Sequence, residues 1–354
     1  MILISFIVTI SILVLIHEFG HFIIARFFKV HVEEFALGFG KTLFEFKDRY
    51  NTSFKFKAIM LGGYVKMHND KDPASFEHEN PVVLTKEDEE KSFYTKELYK
   101  KFLIVLGGPL FNYIFAIICF FVIFFAFGTY TPTCEIESVV EGSPAKLYGI
   151  EAGDVILKAD NLEINKYSEL QEYIALNGEK EIVFEILRSG IIKDVKVLVA
   201  NKNGKGFVGI SPKISEEKIK LSFVESIAKS VNFLIELNTL MIKEISKMIS
   251  SGSIDGISGP IGVAKISNEA ISYGLDKYIF FLGIISLSLG FMNLLPIPIL
   301  DGGHLFMYMY QFLFKQEISQ NTLRILFKVG LFVILTLTAI GFINDIKGLV
   351  KIYE

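Results

Sequence analysis

The stretch Ile12-Leu13-Val14-Leu15-Ile16-His17-Glu18-Phe19-Gly20-His21-Phe22-Ile23-Ile24-Ala25-Arg26 lies inside an apolar run covering residues 2–28. Such a run is long enough for a transmembrane helix, and charged or metal-binding side chains at bilayer depth are expensive and normally functional. On a helix, residues four apart share one face, so His17 and His21 can turn imidazole nitrogens toward one metal ion. Glu18 then sits beside that metal without coordinating it, as a general base toward the water that such a metal activates. A plain solvated helix face would need water that the bilayer core lacks. The motif therefore points to hydrolysis inside a membrane.

Composition agrees with a membrane location. Of 354 residues, 51% are hydrophobic and Phe alone supplies 34, a bias unusual for a soluble globular chain. A net charge of −3 gives no electrostatic case for nucleic-acid binding. The two cysteines, Cys119 and Cys134, do not suggest a disulfide framework, and no CxxC pair is present to hold zinc. Before Arg26 there is neither Lys nor Arg, so the opening segment reads as a retained helix rather than a signal peptide. Arg26 and Lys29 follow it, which by the positive-inside rule puts the N-terminus outside and the next loop in the cytoplasm.

Three further spans are expected, over residues 102–127, 278–312 and 323–345, the third leading into a proline break near residue 295. Residues 1–28 form the first. Between the first two spans, residues 29–68 alternate and carry Phe44-Glu45-Phe46 and Phe54-Lys55-Phe56, predicting a small β-structure beside the membrane. Within it, Gly62-Gly63-Tyr64 reads either as part of a strand that another backbone approaches closely or as a hairpin turn. Residues 69–101 are charged and aperiodic, predicting a variable, partly ordered cytoplasmic segment.

Residues 128–205 read as a soluble α+β insertion: a strand near Cys134, a turn at Gly142-Ser143-Pro144-Ala145, a second strand after Gly149, a helix, and a hairpin around Ser189-Gly190. This order resembles a PDZ domain, which would bind a peptide at a sheet edge or gate a site sterically. Residues 206–277 are expected to be an amphipathic helical region, either on the membrane surface or packed on a neighbouring helix, interrupted at Ser258-Gly259-Pro260.

The third span carries the second constellation, Asn293-Leu294-Leu295-Pro296-Ile297-Pro298-Ile299-Leu300-Asp301-Gly302-Gly303-His304. Broken helix at membrane depth is tolerated where it is buried in protein or lines a watery cavity. Two histidines leave a catalytic zinc site short of one protein ligand. Asp301 is the first candidate and His304 the competitor.

Together these pieces resemble the site-2 protease family of intramembrane zinc metalloproteases (peptidase family M50), and within it the regulator of sigma-E protease group with a PDZ insertion. The resemblance rests on His17-Glu18-Phe19-Gly20-His21, Gly38-Phe39-Gly40, Gly62-Gly63-Tyr64-Val65-Lys66, Gly108-Pro109 with Asn112, Gly259-Pro260, and residues 293–303. It implies a polytopic α-helical membrane protein of about four transmembrane helices, with a membrane-associated β-structure and an inserted α+β PDZ-like domain. It further implies one Zn²⁺ held by His17, His21 and Asp301, with Glu18 activating water. The strand around Gly62, Gly63 and Tyr64 would hold an unwound substrate, and Asn293 and Pro298 would help seat it. The implied partners are the lipid bilayer and a membrane-spanning protein, such as a pre-cleaved anti-sigma factor or a signal-peptide remnant. The implied place is the bacterial inner membrane, with the N-terminus and PDZ-like domain periplasmic and the active site near the cytoplasmic side. One departure is that about 75 residues make room for a single PDZ domain where well-known members carry two. Readings from other classes are a metal transporter, which would more often show internal repeats, and a catalytically silent PDZ scaffold, which would not require Glu18 with its histidines.

Overall fold

In a computed structural model of the chain, the described residues are 2–70, 86–202, 204–252, 258–316 and 318–353. They form two compact units, residues 1–124 with 223–354, and residues 125–222 between them.

The first unit opens with α1 (Ile2–Phe27), whose 26 residues span about 39 Å at 1.5 Å per residue, more than the ~30 Å hydrocarbon layer. Two long strands follow, β1 (Val32–Lys47) and β2 (Ser53–Met67), paired antiparallel. The turn between them is built by Asp48, whose Oδ1 accepts from the backbone N–H groups of Tyr50 and Thr52. Arg26, in the last turn of α1, donates to Asp48 and to Thr52 Oγ1, and Thr52 in turn donates to the carbonyl of Val32. The hairpin is thus fastened to the helix that carries the His-Glu motif. Gly62 and Gly63 lie inside β2, so they are not a hairpin turn; the turn residues are 48–52.

The expected segment 69–101 falls partly outside the described residues. Its described end contains the short α2 (Lys86–Lys91) and a buried Phe93, whose N–H donates to the His68 carbonyl. This corrects the expectation for that end: it is tied to the hairpin, and α3 (Leu98–Val122) starts before residue 102. A π-helical turn, Ile123–Phe127, prolongs α3.

The second unit has β3 (Pro132–Val139), α4 (Pro144–Leu147), β4 (Val155–Ala159), β5 (Leu162–Glu163), α5 (Tyr167–Leu176), β6 (Glu181–Arg188), β7 (Ile191–Leu198), β8 (Ala200–Lys202), β9 (Lys205–Phe207) and β10 (Ile210–Ile214). The main sheet runs β10-β3-β4-β6-β7, all antiparallel, with β5 beside β4. Alternation in β6 sends Ile182, Phe184 and Ile186 into the core with Ile136, Ile156 and Leu170. The β6–β7 turn sits at Ser189-Gly190, both at positive φ, the geometry that matches strand twist. This is the expected PDZ-like α+β insertion, with one correction. It does not end at residue 205, because β10 covers the edge of β3 and the unit continues to Ser222.

A buried ion pair holds this unit's Gly149 to Asp154 connection. Arg188 donates to both oxygens of Asp154, at 2.6 and 2.7 Å, and to the carbonyl of Gly149 at 2.6 Å. The Asp154 side chain is fully buried, so Arg188→Ala would strand a carboxylate with one backbone N–H, that of Glu151, as partner. Breaking such a pair costs about 3–5 kcal/mol. The expected result is rapid proteolysis within residues 125–222 of the full-length protein, and an unchanged cleavage pattern would contradict it.

The first unit resumes with α6 (Phe223–Ser251), α7 (Pro260–Ser272), α8 (Leu275–Asn293), α9 (Asp301–Phe314) and α10 (Gln320–Tyr353). The expected helical region 206–277 therefore begins only at residue 223 and comprises two helices; part of the expected break between them, residues 253–257, lies outside the described residues. The α6 helix packs on a neighbour: Phe233 meets the rings of Phe120, Phe124 and Phe280, and Tyr113 donates to Asn238 at 2.8 Å. Among the described residues four helices are long and apolar enough to cross a membrane: Ile2–Phe27, Leu98–Phe127, Leu275–Asn293 and Asn321–Lys347.

The span expected over residues 278–312 is two helices, parted at the expected proline break. Pro296 and Pro298 lack N–H groups and cannot continue α8, so residues 294–300 are non-helical and α9 restarts at Asp301. The start of α7 is capped from another element, since both carboxylate oxygens of Asp345 on α10 accept from the backbone N–H groups of Gly259 and Gly262, at 3.0 and 2.9 Å. That gives Ser258-Gly259-Pro260 a structural role: orphan N–H groups at a helix start receive a carboxylate. Interhelical hydroxyls add to the assembly, with Thr9 Oγ1 2.8 Å from Ser267 Oγ and 3.1 Å from Tyr278 OH.

Candidate metal centre

Three segments meet at the centre. The first contact is between backbones: a Cβ on Gly20 would lie 2.2 Å from the Gly107 carbonyl oxygen, and one on Gly107 would lie 2.6 Å from that of Gly20. Paired glycines let α1 and α3 touch, which brings His17 and His21 against α3. The next residue, Gly108, faces the two imidazoles directly, and a Cβ there would be 2.3 Å from His21 Nε2. The third segment is the start of α9, where Asp301 occupies the first helical turn.

His17 Nε2 lies 3.2 Å and His21 Nε2 3.6 Å from Asp301 Oδ2, and the two Nε2 atoms are 3.3 Å apart. Zinc bonds of 2.0–2.1 Å in a tetrahedron place neighbouring ligand atoms about 3.3 Å apart. The three donors therefore form one face of a site of the right size. Asp301 Oδ2 is buried and has no hydrogen-bond partner, a costly state for a carboxylate oxygen unless a cation faces it. His21 Nδ1 lies 3.0 Å from the carbonyl oxygen of Ile104. A carbonyl only accepts, so Nδ1 carries the proton and Nε2 presents its lone pair to the other two donors. Among the described residues, His17, His21 and Asp301 are the group of three that could hold a metal ion. His304 stands apart, its ring 5.5 Å from that of Phe327 and 6.4 Å from that of Tyr308.

Glu18 points to the hairpin side. A Cβ on Gly63 would lie 3.1 Å from Glu18 Cγ and 2.9 Å from Val14 Cγ1, so β2 passes the base at the distance a missing side chain allows. Beside Gly63, Gly62 adopts φ +126° with the Phe39 ring against it. Tyr64 donates to Glu34 Oε2 at 2.8 Å and accepts from Lys57 at 2.8 Å. Burial works against the charge on Glu34, but hydrogen bonds from Lys55 and Tyr64 outweigh it and hold the carboxyl below its usual range. That network pins the register of β1 on β2. Asn293 closes α8, and Pro298 lies in the link to α9, where a Cβ on Gly303 would be 2.5 Å from Pro298 Cα. The structure thus groups His17, Glu18, His21, Asp301 and Gly63, while Asn293 and Pro298 belong to the segment leading into Asp301.

One residue in contact with this centre was given no role by the motif: Asn112 on α3, fully buried, with its side-chain amide 3.0 Å from His17 Nδ1. An amide inside an apolar span was the available signal, since polar groups at that depth need a partner.

The family model of peptidase family M50 matches residues 5–337. A protein of Rickettsia conorii, named as a candidate zinc metalloprotease, is 36% identical over 98% of this chain and 99% of its own length. The regulator of sigma E protease of Haemophilus influenzae is 30% identical over 96% of this chain and 97% of its own. Among solved structures, the PDZ domain of an SdrC-like protein from Listeria monocytogenes aligns with 23% of this chain and 87% of its own, at 19% identity and a TM-score of 0.21.

Proposed function

The chain belongs to peptidase family M50, and from that premise we propose that it is a zinc-dependent endopeptidase that cuts single-span membrane proteins within the membrane. The substrate class is a transmembrane segment left by an earlier cut, such as an anti-sigma factor or a signal-peptide remnant. The observation that carries this is the triangle of His17 Nε2, His21 Nε2 and Asp301 Oδ2, with sides of 3.2, 3.3 and 3.6 Å, set within apolar helices beside Glu18.

His17, His21 and Asp301 would hold the ion. Bound there, zinc supplies Lewis acidity and lowers the pKa of the attacking water toward neutrality. Glu18 accepts the proton of that water and delivers it to the leaving amine. A helical substrate hides its carbonyls in intrahelical hydrogen bonds, so it must be extended before attack. Strand β2, passing Glu18 at Gly63, offers an edge to which an extended segment can add. Gly62 and Tyr64 shape that edge, and Asn293 and Pro298 seat the far side of the strand. Arg26 and Lys29 after the first span favour an orientation with the N-terminus and the PDZ-like unit periplasmic in the bacterial inner membrane, and the metal centre toward the cytoplasm.

The test is cleavage of a tagged single-span protein by the purified full-length chain before and after zinc removal. Chelation should abolish cleavage, and about one equivalent of zinc should restore it. Asp301→Ala should hold markedly less zinc and stay inactive when zinc is added back. Undiminished zinc in that variant would move the third ligand elsewhere, and chelator-resistant cleavage by the wild type would overturn the reading.

A further inference from the structure

The Asn112 side chain carries two observations that conflict as they stand. Its Nδ2 lies 3.0 Å from His17 Nδ1, while its Oδ1 is buried with no partner. With the amide placed that way, Nδ1 of His17 would have to accept, and the ring's proton would sit on Nε2. That proton would point among His21 Nε2 and Asp301 Oδ2, where a metal donor is needed. The two ends of a carboxamide are nearly the same size, and a half-turn about the terminal bond exchanges them. After that half-turn Oδ1 faces His17 Nδ1, the buried oxygen gains its donor, and Nε2 turns a lone pair to the ion.

We propose that Asn112 is a positioning residue whose side-chain carbonyl accepts a hydrogen bond from His17 Nδ1–H and so fixes the metal-binding tautomer and ring plane of His17. The inference rests on the assignment of His17, His21 and Asp301 to zinc. It gives His17 from a side chain what His21 receives from the carbonyl of Ile104, so that α3 orients both imidazoles of α1. The backbone that carries Asn112 is itself held in place. Its residue's carbonyl accepts from Ser286 Oγ on α8 at 2.9 Å, and a Cβ on Gly290 would be 3.1 Å from Asn112 Cβ. Outer partners of metal-bound histidines that fix tautomer and orientation raise ligand basicity, and their loss typically weakens metal binding about 10–100-fold.

The experiment measures zinc affinity of the full-length protein by competition with a chromophoric chelator, for wild type, Asn112→Leu and Asn112→Asp. Thermal unfolding with and without zinc is followed in parallel. Leu cannot accept a hydrogen bond, so its affinity should fall about 10–100-fold. Asp retains the acceptor and lacks the donor, so it should bind zinc nearly as the wild type does. The metal-free melting temperature of the Leu variant should stay close to that of the wild type, while its zinc-induced rise shrinks. Equal zinc affinity in the Leu variant would overturn the inference alone. Equal losses for Leu and Asp would also overturn it, because the NH₂ end or bulk packing would then be what matters. Failure of the wild type to take up zinc would overturn the metal centre and this inference together.

Discussion

Glu18→Gln is expected to leave zinc bound and to lower the cleavage rate by at least about 10²–10⁴-fold, the range a positioned general base contributes. Glu18 is not one of the three clustered donors, so its carboxylate can be exchanged for a carboxamide without removing a ligand. The amide has the same shape and hydrogen-bonding reach but no basicity at neutral pH. Substrate should still add to β2, so the loss should appear in kcat with KM little changed. Single-turnover cleavage of a tagged single-span protein, with zinc content measured on the same preparation, checks both halves. Wild-type turnover in the variant would remove Glu18 from the chemistry. Loss of zinc would instead make it a ligand.

The parts of this centre that the chain displays locally were legible. His17 and His21 share one helical face with Glu18 beside it, and polar groups inside an apolar run have few uses other than a site. Asp301 stood out for the same reason. What was misread depended on partners far along the chain. Pro296 and Pro298 mark the break within residues 278–312 locally, but the packing of Gly303 on Ile297 and Pro298 is what makes α9 a separate helix starting at Asp301. The PDZ-like unit was ended too early because β10 has meaning as a strand only beside β3, which lies at the other end of the unit. Nothing local marks Asp345 as a cap, because the helix start it caps lies 86 residues earlier. Asn112 was visible as a polar residue in a span, but its partner lies 95 positions away. Gly62 and Gly63 fitted a turn as well as a strand, and the choice was made by Asp48, Thr52 and Arg26, which place the turn elsewhere. Local chemistry marks the reacting groups; non-local contacts decide how they are aimed.

Gly108→Ala tests that aiming most severely. The added methyl would stand 2.3 Å from His21 Nε2, 2.6 Å from His21 Cε1 and 2.7 Å from His17 Cε1, inside any real contact distance. Either the rings or the helix must move. The rings are also held at Nδ1 by the same helix, His21 by the Ile104 carbonyl and His17 by Asn112. The helix is held by the backbone contact of Gly20 with Gly107, and withdrawing α3 would open it. Overpacking of this kind costs about 1–3 kcal/mol even where neighbours are apolar. Here the displaced atoms are the metal donors themselves, so zinc affinity should fall by more than the ~10–100-fold that loss of an outer partner brings. Cleavage should fall with it. Gly107→Ala separates this effect from general strain: its methyl would meet the Gly20 carbonyl and Ile24 Cγ1, not the imidazoles. The expected contrast is zinc lost outright in Gly108→Ala but only weakened, with a lowered melting temperature, in Gly107→Ala. Full zinc occupancy in Gly108→Ala would mean that α3 does not approach the histidines this closely, and the common orientation of both imidazoles from α3 would fall with it.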